Sequence, residues 1–301
     1  GGERTEMVKR FLGLTGLVLL VLGVTWIGGP ALAADAPSCG DCHEQSKSFG
    51  ANPHGRAACD LPGDAACASC HGDGKAHMEA GGDASLIKGL RGADGSETCL
   101  TCHDVTTEHT SYRHGVHGVN DTVNCLTCHS VHTPHAKEPK LLAKRQTELC
   151  ASCHQGPASA MRSKAYVHHL DRGGMTCASC HEPHGRRGEG ALKLTRQGEA
   201  PCLSCHTEKR GPFVYEHGGP TTGGMTGGCL TCHEPHGSNN PKMLTRSRVD
   251  LLCLECHSTL AAGALGSQPP ATHNISLPRW RNCTTCHVAV HGSNRSPKLL
   301  K

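Results

Sequence analysis

The sequence predicts a chain that is mostly coil with short α-helices and little or no β-structure, laid out as an elongated array of five repeats. Three observations predict it: ten copies of C-x-x-C-H, their near-regular spacing, and a composition poor in apolar bulk.

The ten motifs come first. They are Cys39-Cys42-His43, Cys67-Cys70-His71, Cys99-Cys102-His103, Cys125-Cys128-His129, Cys150-Cys153-His154, Cys177-Cys180-His181, Cys202-Cys205-His206, Cys229-Cys232-His233, Cys253-Cys256-His257 and Cys283-Cys286-His287. They use 20 of the 21 cysteines and leave only Cys59. C-x-x-C-H is the attachment signature of c-type haem. Two thiols three residues apart reach the two vinyl groups of one porphyrin, and the histidine that follows is held under the iron. With 24 histidines in 301 residues, ten of ten by chance has a probability on the order of 10⁻¹¹. Zinc ribbons do not require His at that position, and disulfide staples would not repeat with this ending. The fold class is therefore a multihaem cytochrome c, with ten covalently attached haem c groups.

Spacing supplies the array. The odd-numbered motifs begin at Cys39, Cys99, Cys150, Cys202 and Cys253; the first interval is 60 residues and the others 51, 52 and 51. An even-numbered motif follows each after 26 to 30 residues. The chain reads as five di-haem repeats, each touching mainly its neighbours. The segments from Lys140-Leu141-Leu142 to Cys150 and from Lys242-Met243-Leu244 to Cys253 read as short helices that deliver the chain into a motif. Glu182-Pro183-His184-Gly185 and Glu234-Pro235-His236-Gly237 read as one turn used twice, and the Gly-rich stretch Gly72–Glu97 as a surface loop.

Composition accounts for the missing core. With 3% aromatic residues, 38 glycines and 17 prolines, the chain cannot bury a conventional core by itself. Ten porphyrins supply that bulk, at about 27 residues each over the segment 34–301. The formal charge of +4 falls to +3 without Glu3, Arg4, Glu6, Lys9 and Arg10, and haem propionates then turn the holoprotein acidic. Nucleic-acid binding is not implied.

The N-terminal segment is expected to direct export. Residues 1–6 read as sequence upstream of a start at Met7, and residues 7–33 as a signal peptide. Lys9-Arg10 precede an apolar run from Phe11 to Ile27, and Ala31-Leu32-Ala33 marks cleavage after Ala33. An uncleaved anchor is the alternative, because the run approaches the length of a membrane span. Residues 34–301 form the cytochrome domain, expected in the periplasm.

Fourteen histidines lie outside the motifs. One falls inside each repeat: His54, His117 or His114, His168 or His169, His217, and His273. Another follows each even motif: His77, His132 or His135, His184, His236, and His291. Ten candidates for ten irons predict bis-histidine, low-spin ligation with no open coordination site. His184 lies three residues from His181, a reach of at most ~11 Å, so it is expected to serve a different haem. The same limit applies to His132, His236 and His291. Methionine ligation is the alternative, but Met78, Met161, Met175, Met225 and Met243 follow no repeat. Electron transfer follows, with a soluble periplasmic shuttle as one alternative. A multihaem oxidoreductase is the other, but it would need an open iron.

The C-terminal half carries more specific text. Cys202–His206 followed by Thr-Glu-Lys-Arg-Gly-Pro and Glu216-His217, Cys229–His233 followed by Glu-Pro-His-Gly-Ser, and the ending Val290-His291-Gly-Ser-Asn with Lys298-Leu299-Leu300 closely resemble the periplasmic decahaem cytochromes of outer-membrane electron conduits, the MtrA/DmsE family. The motifs and their pairing extend the resemblance over the whole of 34–301. It favours His117, His168 and His132 within the open sets. It implies a wire of stacked haems partly inside an outer-membrane β-barrel, passing electrons between periplasmic donors or acceptors and an extracellular partner, in extracellular respiration or iron oxidation. The implied partners are that barrel, an extracellular multihaem cytochrome, and an inner-membrane quinol-linked or periplasmic cytochrome. Cys59 and the approach to His273 through Pro269-Pro270 depart from the family pattern.

Overall fold

Each C-x-x-C-H segment closes a single helical turn. The histidine N–H donates to the carbonyl of the first cysteine, at 2.9 Å in His43→Cys39, His129→Cys125 and His206→Cys202 and 3.0 Å in His181→Cys177 and His287→Cys283. Positions i, i+3 and i+4 then share one face, which presents both thiols and the imidazole together. Neighbouring side chains cap some of these turns reciprocally: Thr127 N–H donates to Asn124 Oδ1 (3.1 Å), and Asn124 N–H to Thr127 Oγ1 (3.0 Å).

The computed structural model describes residues 37–57, 64–104, 111–119, 123–134, 136–170, 174–185, 189–193, 200–217, 228–257 and 273–300. All ten motifs lie within them; Cys59, His109, His135 and the segment 7–33 lie outside the described residues. Among the described residues there are no β-strands, only isolated bridges between turns, and the longest helix, Gly92–His103, has 12 residues. No helix among them is long and apolar enough to cross a membrane. The only hydrophobic side chains buried there are Leu100 and Leu142.

Two expectations about local structure are corrected. The helices before the fifth and ninth motifs are confined to Gln146–Ala151 and Val249–Leu254. Ahead of them, Lys140 (φ 61°) and Leu141 (φ 57°), like Lys242 (φ 59°) and Met243 (φ 56°), take left-handed backbone that no α-helix can include. Gly72–Glu97 is not simply a loop. It holds the helix Lys75–Glu79, a 3₁₀ turn at Ala84–Leu86, and the start of Gly92–His103. Asp83 caps that 3₁₀ turn by accepting from Ser85 N–H (2.9 Å).

Successive repeats meet backbone to backbone. Tyr166 bridges to Ser238 and Tyr215 to Ser293, while Asn52 Nδ2 donates to the Val131 carbonyl (2.7 Å). At the junction of the second and third repeats, a Cβ added to Gly115 would lie 2.2 Å from Gly185 Cα. Gly185 has φ 108°, and its own Cβ would meet the Ser111 carbonyl oxygen at 2.3 Å. Gly185→Ala is therefore expected to destabilise the protein by at least about 1–2 kcal/mol from backbone alone, read as a lower thermal midpoint of the haem-loaded chain.

Candidate haem-ligating site

Every motif histidine faces one of the ten distal candidates. Ring centroids lie 6.0 Å apart in His43–His77 and His71–His132, 5.9 Å in His54–His103, and 6.1 Å in His129–His184 and His117–His154. They lie 5.9 Å apart in His181–His236 and His217–His257, 6.5 Å in His168–His206, and 6.3 Å in His233–His291 and His273–His287. Two imidazoles bound to one metal through bonds of about 2 Å put their centroids roughly 6 Å apart. Unliganded rings in contact stack more closely, as His273 and Trp280 do at 4.4 Å. The spacing thus leaves room for an iron between each pair. His117 and His168, rather than His114 and His169, are the rings that face His154 and His206.

The pairing follows one rule. At each junction, the distal histidine inside the earlier repeat faces the odd motif of the next: His54–His103, His117–His154, His168–His206 and His217–His257. The histidine after the later repeat's even motif faces back to the earlier repeat's even motif: His132–His71, His184–His129, His236–His181 and His291–His233. The first and fifth repeats each also hold one pair within themselves, His77–His43 and His273–His287.

Backbone acceptors orient the rings. In all five even motifs, Nδ1 of the motif histidine donates to a carbonyl: His71 to Lys88 (3.0 Å), His129 to Lys140 (2.8 Å), His181 to Gly190 (2.5 Å), His233 to Lys242 (2.9 Å) and His287 to Lys298 (2.6 Å). The left-handed residues at 140–141, 190–191, 242–243 and 299 sit at four of these acceptors, where they aim the carbonyl. Non-glycine residues there cost about 1–2 kcal/mol each, which accords with a positional demand. With Nδ1–H committed, Nε2 is the nitrogen left for a metal. Distal rings do likewise: His117 donates to the Pro183 carbonyl and His168 to that of Pro235, both at 3.1 Å, and His77 to that of Asp83 at 2.9 Å. His184 Nδ1 lies 3.2 Å from Glu182 Oε1. His54 is the exception: its Nδ1 is buried without a partner, and the matching carbonyl, Val131, accepts from Asn52 instead.

Burial, and then the facing ring, lowers the pKa of His54; burial likewise comes first for His132, His217, His236 and His291. Lowered values favour the neutral imidazole that ligates metals. The thiols form a second continuous line. The first cysteines of paired motifs lie side by side in Cys99–Cys125, Cys150–Cys177 and Cys202–Cys229. Across junctions Cys70 neighbours Cys99, Cys128 neighbours Cys153, Cys180 neighbours Cys202, and Cys232 neighbours Cys256. The attachment points therefore run in chain order. Cys39, Cys67 and Asp64 also cluster closely enough to suggest a small metal site, but both thiols belong to attachment motifs, and Asp64 Oδ2 accepts from Cys39 N–H (2.9 Å). An open cavity of about 560 Å³ borders His236, Gly237 and Lys164. Thiol pairs, facing imidazoles and this space all fit haem c.

Sequence reasoning named these residues as candidates but missed a second set of positions, the carbonyls of Lys88, Lys140, Gly190, Lys242 and Lys298 that the even-motif histidines meet. Their side chains carry no signal, because the backbone does the work.

Comparisons with known proteins agree. The family profile described as the doubled CXXCH motif matches residues 117–158, 168–211 and 220–262. Each match joins an even motif to the odd motif that follows, so it spans a junction of the array. The chain is 34% identical over 250 residues to the multiheme cytochrome MtrA of Shewanella baltica (strain OS185), covering 78% of this chain and 70% of that protein.

Proposed function

The chain belongs to the MtrA family of multihaem c-type cytochromes, which transfer electrons, and from that premise we propose that it is the periplasmic part of a wire crossing the outer membrane. The observation that carries this reading is the complete set of facing histidine pairs, strung in chain order. When bound, haem iron supplies one-electron chemistry at a potential set by its axial ligands and surroundings.

The chain's own residues do the rest. Twenty motif cysteines fix ten porphyrins covalently. His43, His71, His103, His129, His154, His181, His206, His233, His257 and His287 hold one face of each. His54, His77, His117, His132, His168, His184, His217, His236, His273 and His291 hold the other. Full ligation leaves no iron open to a substrate, which favours electron transfer over catalysis. The backbone acceptors on Nδ1 raise the basicity of the rings and lower the potential. Glu182 beside His184 adds a carboxylate to that effect. Glu182→Gln is therefore expected to move one haem of ten to a more positive potential in a spectroscopic redox titration, and an unchanged titration would contradict the contact's role.

The resemblance to outer-membrane conduit cytochromes supports a β-barrel sheath and an extracellular multihaem cytochrome as partners. It also supports a quinol-linked or periplasmic cytochrome on the inner side. Cell fractionation with a haem-stained gel and a salt wash of the outer membrane tests the placement. Retention in that fraction, with a co-purifying β-barrel, is expected. Release with the soluble periplasm would instead make the protein a shuttle.

A further inference from the structure

One distal ring, His273, departs from the junction rule and faces the even motif of its own repeat. His117 and His168 are steadied by carbonyls that the next repeat supplies, Pro183 and Pro235, and His217 by that of Val290. His273 is held differently. Its ring lies on the indole of Trp280, with centroids 4.4 Å apart and planes within 4°. The Arg279 guanidinium carbon sits over the same indole, 5.0 Å from its centroid.

Trp280 is itself well held. It ends the 3₁₀ turn Pro278–Trp280, and its N–H donates to the Leu277 carbonyl (3.0 Å). Leu277 N–H donates to the Asn274 carbonyl (3.1 Å), and Arg281 Nη2 to that of Ser276 (3.2 Å). The turn that begins beside His273 thus folds back and presents the indole face to it. An aromatic face also favours a ring that carries positive charge, as an imidazole does on ferric iron.

Resting on the bis-histidine reading above, we propose that Trp280 is the positioning residue for the sixth ligand of the last haem. It holds His273 by ring stacking where His117, His168 and His217 are held by a carbonyl of the following repeat. Trp280 acts through His273. The His273 ligand is therefore set by a side chain that substitution can remove, whereas His117, His168 and His217 are set by backbone carbonyls.

The test is carbon monoxide binding to the reduced holoprotein, counted per chain, with haem content checked by intact mass. His273→Ala sets the signal for loss of this ligand, one site per chain. Trp280→Ala is expected to bind one CO per chain with all ten haems retained, while Trp280→Phe, which keeps an aromatic face, binds none. Trp280→Ala that binds no CO and titrates like the unmodified protein would overturn the proposal. So would a Trp280→Phe variant as open as Trp280→Ala, because the effect would then be local folding rather than stacking. If the unmodified protein binds CO, or His273→Ala binds none, the bis-histidine reading fails instead, and the two failures are told apart.

Discussion

His236→Ala is expected to open one haem of ten, and the haem that opens is attached at Cys177 and Cys180, not the one in the motif just before His236. The ring of His236 faces His181 at 5.9 Å, whereas His233 faces His291. The variant should show one high-spin ferric haem and bind one CO per chain when reduced. Pairing it with cysteine replacements identifies the site. With Cys177 and Cys180 both changed to serine, His236→Ala should add no CO site. With Cys229 and Cys232 changed instead, it should still add one. The opposite pattern would return His236 to its own repeat and break the junction rule.

The haem-free chain is the second large effect. With both cysteines of every motif replaced by serine, it is expected to show no cooperative thermal transition and to be degraded rapidly by protease. Ordering each residue costs about 1–2 kcal/mol of backbone entropy, and among the described residues only Leu100 and Leu142 offer buried hydrophobic side chains against it. Glu182, Asn52, Ser238, Asp250 and Ser293 are buried as well, which adds desolvation rather than hydrophobic burial. Arg248 does pair with the buried Asp250, and Arg113 with Glu97 (2.7 Å), but ion pairs of this exposure contribute little. A sharp melt in the serine chain would show a core that the fold as described does not contain.

Much of the site was legible in the sequence because its chemistry is written in side chains. C-x-x-C-H names both thiols and the first imidazole, and a histidine just after each even motif made His184 and His236 ligand candidates. The reach of three residues from His181 excluded its own haem for His184, and the observed partner, His129, lies in the preceding repeat. Which ring meets which motif was not legible, because it depends on how repeats pack, and no residue type encodes that. The helix expected from Lys140 shows the same limit. Leu141 and Leu142 favour helix by propensity, but the chain turns left-handed so that Lys140 can present its carbonyl to His129. Tertiary demand overrides local preference there. Trp280 was invisible for a related reason: its contact with His273 depends on how the turn Pro278–Trp280 folds back.

The most direct measurement is intact mass of the purified holoprotein combined with the spin state of its ferric form. The expected result is a polypeptide carrying ten haems, all low-spin, with no CO bound on reduction. Nine haems or fewer, or a high-spin fraction in the unmodified protein, would contradict a fully ligated electron-transfer wire.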